Sequence, residues 1–391
     1  MTPARTAILG ALAPHAAPAT LPRVSARGKF LYAGDEKLLL RGVTYGTFAT
    51  DEQGRERHER AQVEADFAAM AANGFNAVRL YTVPERWVLD AALAHGLYVA
   101  VGLAWEQHLS FLDSGRFRAI ERRVRAAARE CAGHPAVFCY VVGNEIPAPI
   151  VRWYGGRAIE RAIRRLYDAV KGEDPDALVT YVNYPTTEYL QLPFLDVVAF
   201  NVYLEDRERY ENYLARLQNI ALDRPLLIAE LGHDGRATAE QWQATTLDWL
   251  VRSTFAAGCA GAFAFAWTDE WHRDGCPIEE WEFGLTRRDR SPKPALRVVR
   301  DAFAEAPFPP DEPLPRISVV VCAYNAETTI AQTLQALTAQ RYPEFEPIVV
   351  DDGSTDRTAE IARRFPVRLI QTENRGLSSA RNTGLEAATG E

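Results

Sequence analysis

The stretch AVFCYVVGNE, residues 136–145, joins an almost continuous apolar run to a polar pair, Asn144-Glu145. Such a run is typical of a strand that is buried on both faces, as in parallel sheets covered by helices. Seven further runs of this kind occur along the chain: LLLRGVTY (38–45), NAVRLYT (76–82), LYVAVGLAW (97–105), ALVTYVN (177–183), DVVAFNVY (196–203), PLLIAE (225–230) and AGAFAFAW (260–267).

Helical stretches separate these eight runs. RAQVEADFAAMAANG (60–74) has Gly74 placed to end a helix, and RAIERAIRRLYDAVKGEDP (157–175) is closed by Gly172 and Pro175. Eight buried strands, each followed by a helix or a long loop, match the strand count of the TIM barrel. The sequence therefore predicts an α/β fold with a (β/α)8 TIM barrel. An open doubly wound sheet is the alternative, but it leaves unexplained the polar and aromatic residues at the C-terminal ends of the runs.

Two glutamates stand at C-terminal ends of predicted strands, Glu145 after the fourth run and Glu230 after the seventh. Active sites of TIM barrels lie at that end, and two carboxylates on one rim fit the cleavage of a glycosidic bond. Arg79 near Glu230 would keep that carboxylate ionised, whereas Glu145 needs a raised pKa to act as an acid. We therefore predict that these two glutamates form the catalytic pair.

Other strand-end residues are predicted to contact the sugar. Asn144 would bind the 2-hydroxyl, Tyr203 would donate a hydrogen bond to Glu230, and Trp267 would form the floor of the cleavage subsite. The pattern indicates no metal or cofactor in the barrel, because His, Asp and Cys do not cluster. Rim packing and substrate contact both remain open for a further group of residues: Tyr45, Tyr81, Trp105, Glu106 and His108, with Trp271 and Trp281 as candidate stacking platforms.

The strand ends RGVTYG, NAVRLYT, VVGNEI, VVAFNVY, IAELG and FAFAW resemble those of clan A glycoside hydrolases. The segment WEFGLTRRDRSPKPAL (281–296) is similar to the end of the family 2 glycoside hydrolase barrel. The resemblance covers residues 28–305. It implies a retaining mechanism in which Glu145 is the acid/base and Glu230 is the nucleophile. Asn-Glu-Ile (144–146) stands where the family usually has Asn-Glu-Pro.

The chain divides at APFPPDEPLP (306–315), which holds five prolines and is predicted to be a stiff linker. Residues 1–27 are predicted to be a flexible leader, and residues 28–305 to be the barrel domain. In residues 316–391, the pattern of a strand followed by a helix repeats, which is typical of a nucleotide-binding sheet. ISVVVCAYNAETTIAQTLQALTAQ, PIVVDDGSTDRTAEIA and ENRGLSSARNTGLEAATGE resemble the start of family 2 glycosyltransferases.

That second resemblance implies a Rossmann-like, glycosyltransferase A-type domain. Asp351 and Asp352 end a buried strand, where carboxylates reach a base or a ribose. By resemblance, Ala323-Tyr324-Asn325 and Asp352 contact a nucleotide sugar such as a UDP-sugar. The metal-binding Asp-x-Asp of the family would follow Glu391, so the domain is predicted to be truncated and inactive as a transferase. A divalent metal, Mg or Mn, is expected only for a complete transferase domain.

Composition excludes several classes of partner. The net charge is −8, from 44 basic and 52 acidic residues, and no long basic run offers a nucleic-acid site. No run of about 18 apolar residues predicts a membrane span. The five cysteines show no paired spacing, and the N-terminal residues make a poor signal peptide. These features predict a cytoplasmic location.

The first functional hypothesis is a retaining glycoside hydrolase or transglycosylase acting on a β-linked, β-glucan-like oligo- or polysaccharide, fused to an incomplete glycosyltransferase segment. A second hypothesis makes the barrel a non-catalytic module that binds glycan. In a third, polysaccharide synthesis by the family 2 glycosyltransferase is the main activity and the barrel trims its product. The presence of both glutamates together with Arg79 and Tyr203 favours the first hypothesis.

Overall fold

The computed structural model describes residues 20–51, 56–108, 111–273, 275–309, 313–340 and 342–390. The chain separates into two compact units, one ending at Phe308 and the other running from Pro309. No helix among the described residues is long and apolar enough to cross a membrane.

The first unit starts with a small antiparallel sheet of three strands, β1 (Val24–Arg27), β2 (Phe30–Ala33) and β3 (Glu36–Leu38). Residues 24–27 were predicted to belong to a flexible leader, but they form β1 because Val24 packs into a buried cluster with Leu31. Residues 1–19 of the predicted leader lie outside the described residues.

Eight parallel strands close into a barrel, which confirms the predicted fold class. Each strand pairs with the next one along the chain, and the last strand pairs with the first. Most of their residues are buried, as expected for strands that face the barrel interior on one side and helices on the other. The barrel strands are β4 (Leu40–Thr44), β5 (Ala77–Leu80), β6 (Tyr98–Gly102), β7 (Val137–Asn144), β8 (Leu178–Asn183), β9 (Val198–Asn201), β10 (Leu226–Leu231) and β11 (Gly261–Ala264).

Amphipathic helices bury one face against the outside of the barrel. In the helix that follows Gly155, Ile159, Ile163 and Leu166 recur at helical spacing and are buried. A two-stranded sheet, β12 (His272–Arg273) with β13 (Cys276–Pro277), lies in the loop after β11. The helices of this unit are α1 (Arg60–Ala72), α2 (Arg86–Ala94), α3 (Ser114–Cys131), α4 (Ala148–Tyr154), α5 (Gly156–Lys171), α6 (Arg207–Ala221), α7 (Gly235–Thr238), α8 (Glu240–Ala256) and α9 (Pro294–Glu305), with a 3-10 turn at Pro185–Thr187.

Register irregularities occur where the two candidate catalytic strands end. The pairing of β7 with β8 shifts between Val141 and Asn144, and the pairing of β10 with β9 shifts between Ile228 and Glu230. Such bulges redirect side chains and are common beside active sites. Glu145 follows its shift with a positive φ of 51°. The backbone itself therefore sets the direction in which both carboxylates point.

The second unit is a parallel sheet of three strands in the order β14 (Ile317–Ala323), β15 (Phe345–Asp352) and β16 (Arg368–Thr372). A helix follows each strand, so the unit has the α/β alternation predicted from the sequence. These helices are α10 (Ile330–Thr338), α11 (Thr358–Ala362) and α12 (Leu377–Ala387).

Candidate active site

A cavity of about 660 Å³ opens at the C-terminal ends of the barrel strands. Glu145, directly after β7, and Glu230, on β10, both line it, so the fold brings the two predicted carboxylates into one pocket. Polar and aromatic side chains from several strands and loops also form its wall, among them Glu56, Arg79, Tyr81, Trp105, His108, Asn144, Phe265, Trp271 and Trp281.

Three donors hold the carboxylate of Glu230. Arg79 Nη1 donates to Glu230 Oε1 at 2.9 Å, Tyr81 Oη donates to the same oxygen at 2.7 Å, and Tyr203 Oη donates to Oε2 at 2.8 Å. Tyr203 is 42% exposed, but its hydroxyl end lies against Glu230, where burial and then the Glu230 charge raise its pKa, so the hydroxyl stays protonated and donates. Tyr203 thus makes the bond that the sequence predicted, while the role of Tyr81 was not predicted.

Arg79 connects the two halves of the site. Its guanidinium is almost fully buried, at 2% exposure, and its Nη2 donates to Asn144 Oδ1 at 2.7 Å while Nη1 faces Glu230. It also lies 4.6 Å from the ring centroid of Tyr81. A buried cation needs opposing charge and acceptors on several sides, and this one has them. Arg79 therefore fixes Asn144 and Glu230 relative to each other.

Glu145 has fewer partners than Glu230. Asn201 Nδ2 donates to Glu145 Oε1 at 2.9 Å and contacts Asn144 Oδ1 at 3.2 Å. Burial and the nearby negative charge of Glu230 raise the pKa of Glu145, although Asn201 and Arg79 oppose the shift. Glu145 therefore keeps its proton to a higher pH than an ordinary glutamate does, as a general acid requires.

Gln107 holds the backbone that leads into Glu145. Its Oε1 accepts from Asn144 N at 3.0 Å, and its Nε2 donates to Asn144 O. The strand that carries Tyr81 is fixed by a close approach at Gly102, where an added Cβ would stand 2.4 Å from Tyr81 O. A larger residue at position 102 would therefore require the backbone of Leu80 and Tyr81 to shift.

Trp267 and Tyr45 lie outside the pocket, contrary to the predicted role of Trp267 as its floor. Trp267 is 1% exposed, and its Nε1 donates to Asp66 Oδ1 at 2.9 Å, while Tyr45 Oη donates to Asp66 Oδ2 at 2.9 Å. Both rings belong to the core between the barrel and its helices. The reason is that β11 ends at Ala264, three residues before the predicted end, so the side chains after it do not continue the strand's alternation.

Phe265 takes the pocket position predicted for Trp267. It packs in an aromatic cluster with Trp271, at 4.7 Å between ring centroids, and with Trp281 at 6.0 Å. Trp271 also meets the ring of Tyr81 edge-on at 5.4 Å. Because these rings line the same cavity as the two glutamates, they supply the apolar wall on which a sugar face can stack.

The remaining rim residues divide into two groups. Trp105 and His108 line the pocket, and Trp105 is anchored by a bond from its Nε1 to Val142 O at 2.9 Å. Glu106 instead pairs with Arg123 on α3. The pocket also contains Glu56, a third carboxylate, which no sequence motif indicated because it lies in a charged stretch that is typical of solvated loops.

In the second unit, the residues predicted to contact a nucleotide gather at the C-terminal edge of the sheet. Ala323 stands opposite Asp351 in the register of β14 and β15, and Tyr324 is 52% exposed. Asn325 Oδ1 accepts from Thr355 N at 2.8 Å, which ties the two loops together.

Asp351 and Asp352 are buried, and their carboxylates accept hydrogen bonds from backbone amides. Asp351 Oδ1 accepts from Ser354 N at 3.1 Å, while Asp352 accepts from the amides of Arg375 at 3.0 Å and Gly376 at 2.8 Å. Within the described residues, no group of three or more His, Cys, Asp or Glu side chains is arranged to hold a metal ion. The carboxylates of Asp351 and Asp352 therefore hold the loops at this edge of the sheet.

Comparison with known protein families identifies both units of the chain. Residues 24–307 match the family model described as "Glycosyl hydrolases family 2, TIM barrel domain", and residues 318–391 match "Glycosyl transferase family 2". Because the first of these matches covers more than half of the chain, the chain belongs to glycosyl hydrolase family 2. The resemblance to family 2 that the segment 281–296 carries is thus confirmed.

Solved structures share the barrel fold. A GH2 β-galacturonidase from Eisenbergiella tayi has a TM-score of 0.63 and 19% identity, and covers 72% of this chain and 53% of its own. A β-glucuronidase from Ruminococcus gnavus has a TM-score of 0.61 and 18% identity, with 72% and 52% covered. This chain therefore spans about half the length of these enzymes.

Curated relatives match the second unit. Glycosyltransferase AglE of Haloferax volcanii is 44% identical over 85 residues, which are 20% of this chain and 28% of that protein. An uncharacterized glycosyltransferase of Bacillus subtilis, EpsJ, is 42% identical over 82 residues, which are 20% of this chain and 24% of that protein. The chain thus spans about a quarter of the length of these two relatives.

Proposed function

We propose that the barrel is a retaining glycosidase or transglycosylase for a β-linked glycan, with Glu230 as nucleophile and Glu145 as acid/base. The observation that carries the proposal is the difference between the two carboxylates in one pocket. Glu230 accepts three hydrogen bonds, from Arg79, Tyr81 and Tyr203, whereas burial and the charge of Glu230 raise the pKa of Glu145. Unequal surroundings of this kind assign a nucleophile and an acid.

The first step forms a glycosyl–enzyme ester. Glu230 attacks the anomeric carbon, the glycosidic bond breaks, and Glu145 gives its proton to the leaving oxygen. Asn144, held by Arg79 and Gln107, is placed to bind the sugar 2-hydroxyl, where hydrogen bonds strengthen in the transition state.

The second step releases the sugar with its configuration retained. Glu145, now ionised, takes a proton from water, and the water oxygen displaces Glu230 from the anomeric carbon. If a sugar hydroxyl replaces water, the same step is transglycosylation. The aromatic cluster of Phe265, Trp271 and Trp281 favours a sugar acceptor, because stacked rings hold a second sugar beside the site.

A glycan screen tests the proposed activity directly. The full chain is incubated with β-linked glucans and other β-linked oligosaccharides, and reducing ends and elongated products are measured together. We expect at least one substrate to yield one or both, and Glu230→Gln to abolish the yield. If neither product appears with any glycan, or if Glu230→Gln keeps full activity, the proposal is wrong.

The second unit supports a further candidate function, the binding of a nucleotide sugar for polysaccharide synthesis. The match to glycosyl transferase family 2, and the position of the exposed Tyr324 and of Asn325 at the C-terminal edge of the sheet, favour it. We propose that UDP binds this edge of the sheet, which calorimetry with UDP would measure. Binding that is absent, or unchanged by Asp352→Asn in a variant that still folds, would contradict this candidate.

A further inference from the structure

Glu56 is a buried carboxylate that the mechanism above does not use. It lines the cavity that contains the two candidate catalytic glutamates, and its side chain is only 6% exposed. Buried carboxylates are costly unless they are hydrogen-bonded, so a residue like this one in a pocket wall calls for an explanation.

The surroundings of Glu56 hold it in one position but leave part of it unoccupied. Thr82 Oγ1 donates to Glu56 Oε1 at 2.8 Å, and the backbone amide of Phe48 also donates to the carboxylate. Burial raises the pKa of Glu56, and these two hydrogen bonds oppose that shift by favouring the ionised form. The His58 ring stands behind it, with Nε2 at 3.8 Å from Oε2. A carboxylate has about four acceptor positions, so these donors leave room for one or two hydroxyl groups from the pocket side.

The position of Glu56 relates it to the nucleophile. Its partner Thr82 directly follows Tyr81, whose hydroxyl donates to Glu230 Oε1. Glu56 and Glu230 thus accept hydrogen bonds from two adjacent residues that directly follow β5. A sugar whose anomeric carbon faces Glu230 therefore has its ring beside the wall that Glu56 forms.

The charges of the pocket distinguish between classes of sugar. Glu56, Glu145 and Glu230 bring three carboxyl groups to one cavity. Of the two arginines in its described lining, Arg79 is buried and bonded to Glu230 and Asn144, while Arg273 is exposed and stacks 5.1 Å from the centroid of the Trp281 ring. A uronic acid would add a carboxylate at C6 beside these acids, whereas a neutral sugar has at C6 a further hydroxyl that can donate to a carboxylate such as Glu56.

From this arrangement we propose that Glu56 is a specificity-determining residue, which binds ring hydroxyls of a neutral sugar and disfavours uronic acids. The inference rests on the proposed function, because it names the substrate class of the same site. It sets this chain apart from the structurally similar enzymes, which are a β-galacturonidase and a β-glucuronidase.

Aryl glycosides test the inference. We compare kcat/KM for 4-nitrophenyl β-glucoside, β-galactoside and β-mannoside with that for the β-glucuronide and β-galacturonide. The full chain should favour a neutral sugar by at least tenfold. Glu56→Gln should lower kcat/KM on that neutral sugar by about 10- to 100-fold, because a hydrogen bond to a charged group is lost. The ratio of kcat/KM for the neutral sugar to kcat/KM for the uronides should fall as well. Preference for a uronide, or equal losses on all five substrates, overturns the inference.

Two variants separate this role from a general effect. Glu59→Gln removes an exposed carboxylate three residues away that does not line the pocket, and it should leave all five rates unchanged. Thr82→Val removes only the bond that orients Glu56, so it should reduce the same preference by a smaller factor. A Thr82→Val protein with unchanged preference counts against the inference even if Glu56→Gln fails to fold.

A binding measurement distinguishes failure of the inference from failure of the proposed function. If none of the aryl glycosides is turned over, calorimetry with 1-deoxynojirimycin and its uronic analogue decides the inference, while the glycan screen described above decides the proposed activity. Tighter binding of the neutral compound, lost in Glu56→Gln, supports it. Equal binding of the two compounds, or binding independent of Glu56, overturns it.

Discussion

Glu145 and Glu230 differ in their hydrogen bonds although they line the same pocket. Burial raises the pKa of Glu145, so its proton is retained to a higher pH than on an ordinary glutamate and is lost as the pH rises through that raised pKa. Activity that needs this proton should fall on the alkaline side of the pH profile.

Glu145→Ala should therefore affect substrates unequally. For a natural glycoside, kcat/KM should fall by about 10²- to 10⁴-fold, because proton donation to the leaving oxygen is lost. Substrates with good leaving groups need little proton donation and should lose far less, and their alkaline limb should disappear from the pH profile. Equal losses on both kinds of substrate would argue against Glu145 as the acid.

The hydroxyl of Tyr203 donates a hydrogen bond to the carboxylate of Glu230 at 2.8 Å. Tyr203→Phe should lower kcat by about tenfold or more, since a hydrogen bond to a charged group is lost where the nucleophile is positioned. Tyr210→Phe is the matched control, because that buried hydroxyl bonds Thr254 and Tyr210 does not line the pocket. If both variants lose the same activity, Tyr203 has no special role.

The sequence predicted the charged residues of the site better than its aromatic wall. Glu145, Glu230 and Arg79 came from strand ends, because a parallel barrel brings those ends to one rim. The sequence could not predict which of two nearby aromatics, Phe265 or Trp267, faces the pocket. That choice depends on where β11 ends and how the loop turns, which the apolar run does not reveal.

The loop after β11 carries much of the aromatic wall of the pocket, and a buried ion pair holds this loop in place. Lys293 Nζ donates to Asp269 Oδ1 at 2.8 Å and to Glu282 O at 3.0 Å, and Asp269 also accepts from Gly284 N at 2.8 Å. This contact explains the final part of the WEFGLTRRDRSPKPAL motif in physical terms. The motif was recognised by resemblance alone, without an expectation of what its lysine binds.

Lys293→Met should destabilise the barrel by about 3 kcal/mol or more, because it leaves the buried Asp269 without its cation. Urea unfolding of the purified chain measures the change. Arg164→Met is the control, since Arg164 and Asp168 form an exposed pair on α5 and should contribute under about 1 kcal/mol. Similar losses in the two variants would show that the Asp269 pair does not hold the loop.

Loosening of the loop after β11 should also affect substrate binding. Trp271 and Trp281 lie within the segment that Asp269 and Lys293 hold, so a loosened loop should weaken substrate binding more than it slows the chemical step. KM should therefore rise in Lys293→Met at temperatures where the protein remains folded, while kcat changes less. A fall in kcat at constant KM would place the effect on the carboxylates instead.

At the scale of the whole molecule, the chain combines a barrel of glycosyl hydrolase family 2 with a segment of glycosyl transferase family 2. The repeating strand and helix patterns were enough to predict both folds. The stretch GKFLYAGDEK (28–37), with its Gly-Asp turn, predicts a hairpin, and β2 and β3 form one there. The first strand of this sheet was not predicted, because β1 is four residues long and its single strongly buried residue, Val24, gives no periodic signal.

Removal of residues 307–391 should leave glycosidase activity within about twofold of the full chain, since domains joined by a proline-rich linker generally fold independently. The candidate active site supports this expectation, because the residues that line it come from the first unit. Glycosidase rates and the melting temperature are compared before and after the deletion. A large loss of either would mean that the two units work as one.

Trapping of the glycosyl–enzyme ester tests the central proposal most directly. In a 2-deoxy-2-fluoro glycoside of the preferred sugar, the fluorine slows both steps, while an activated aryl leaving group keeps formation of the ester faster than its release, so the ester accumulates. Mass spectrometry of the digested protein should find one fluorosugar on the peptide that contains Glu230, and no label in Glu230→Gln. A label on another carboxylate, or turnover that gives the inverted product without any trapped ester, would contradict the account.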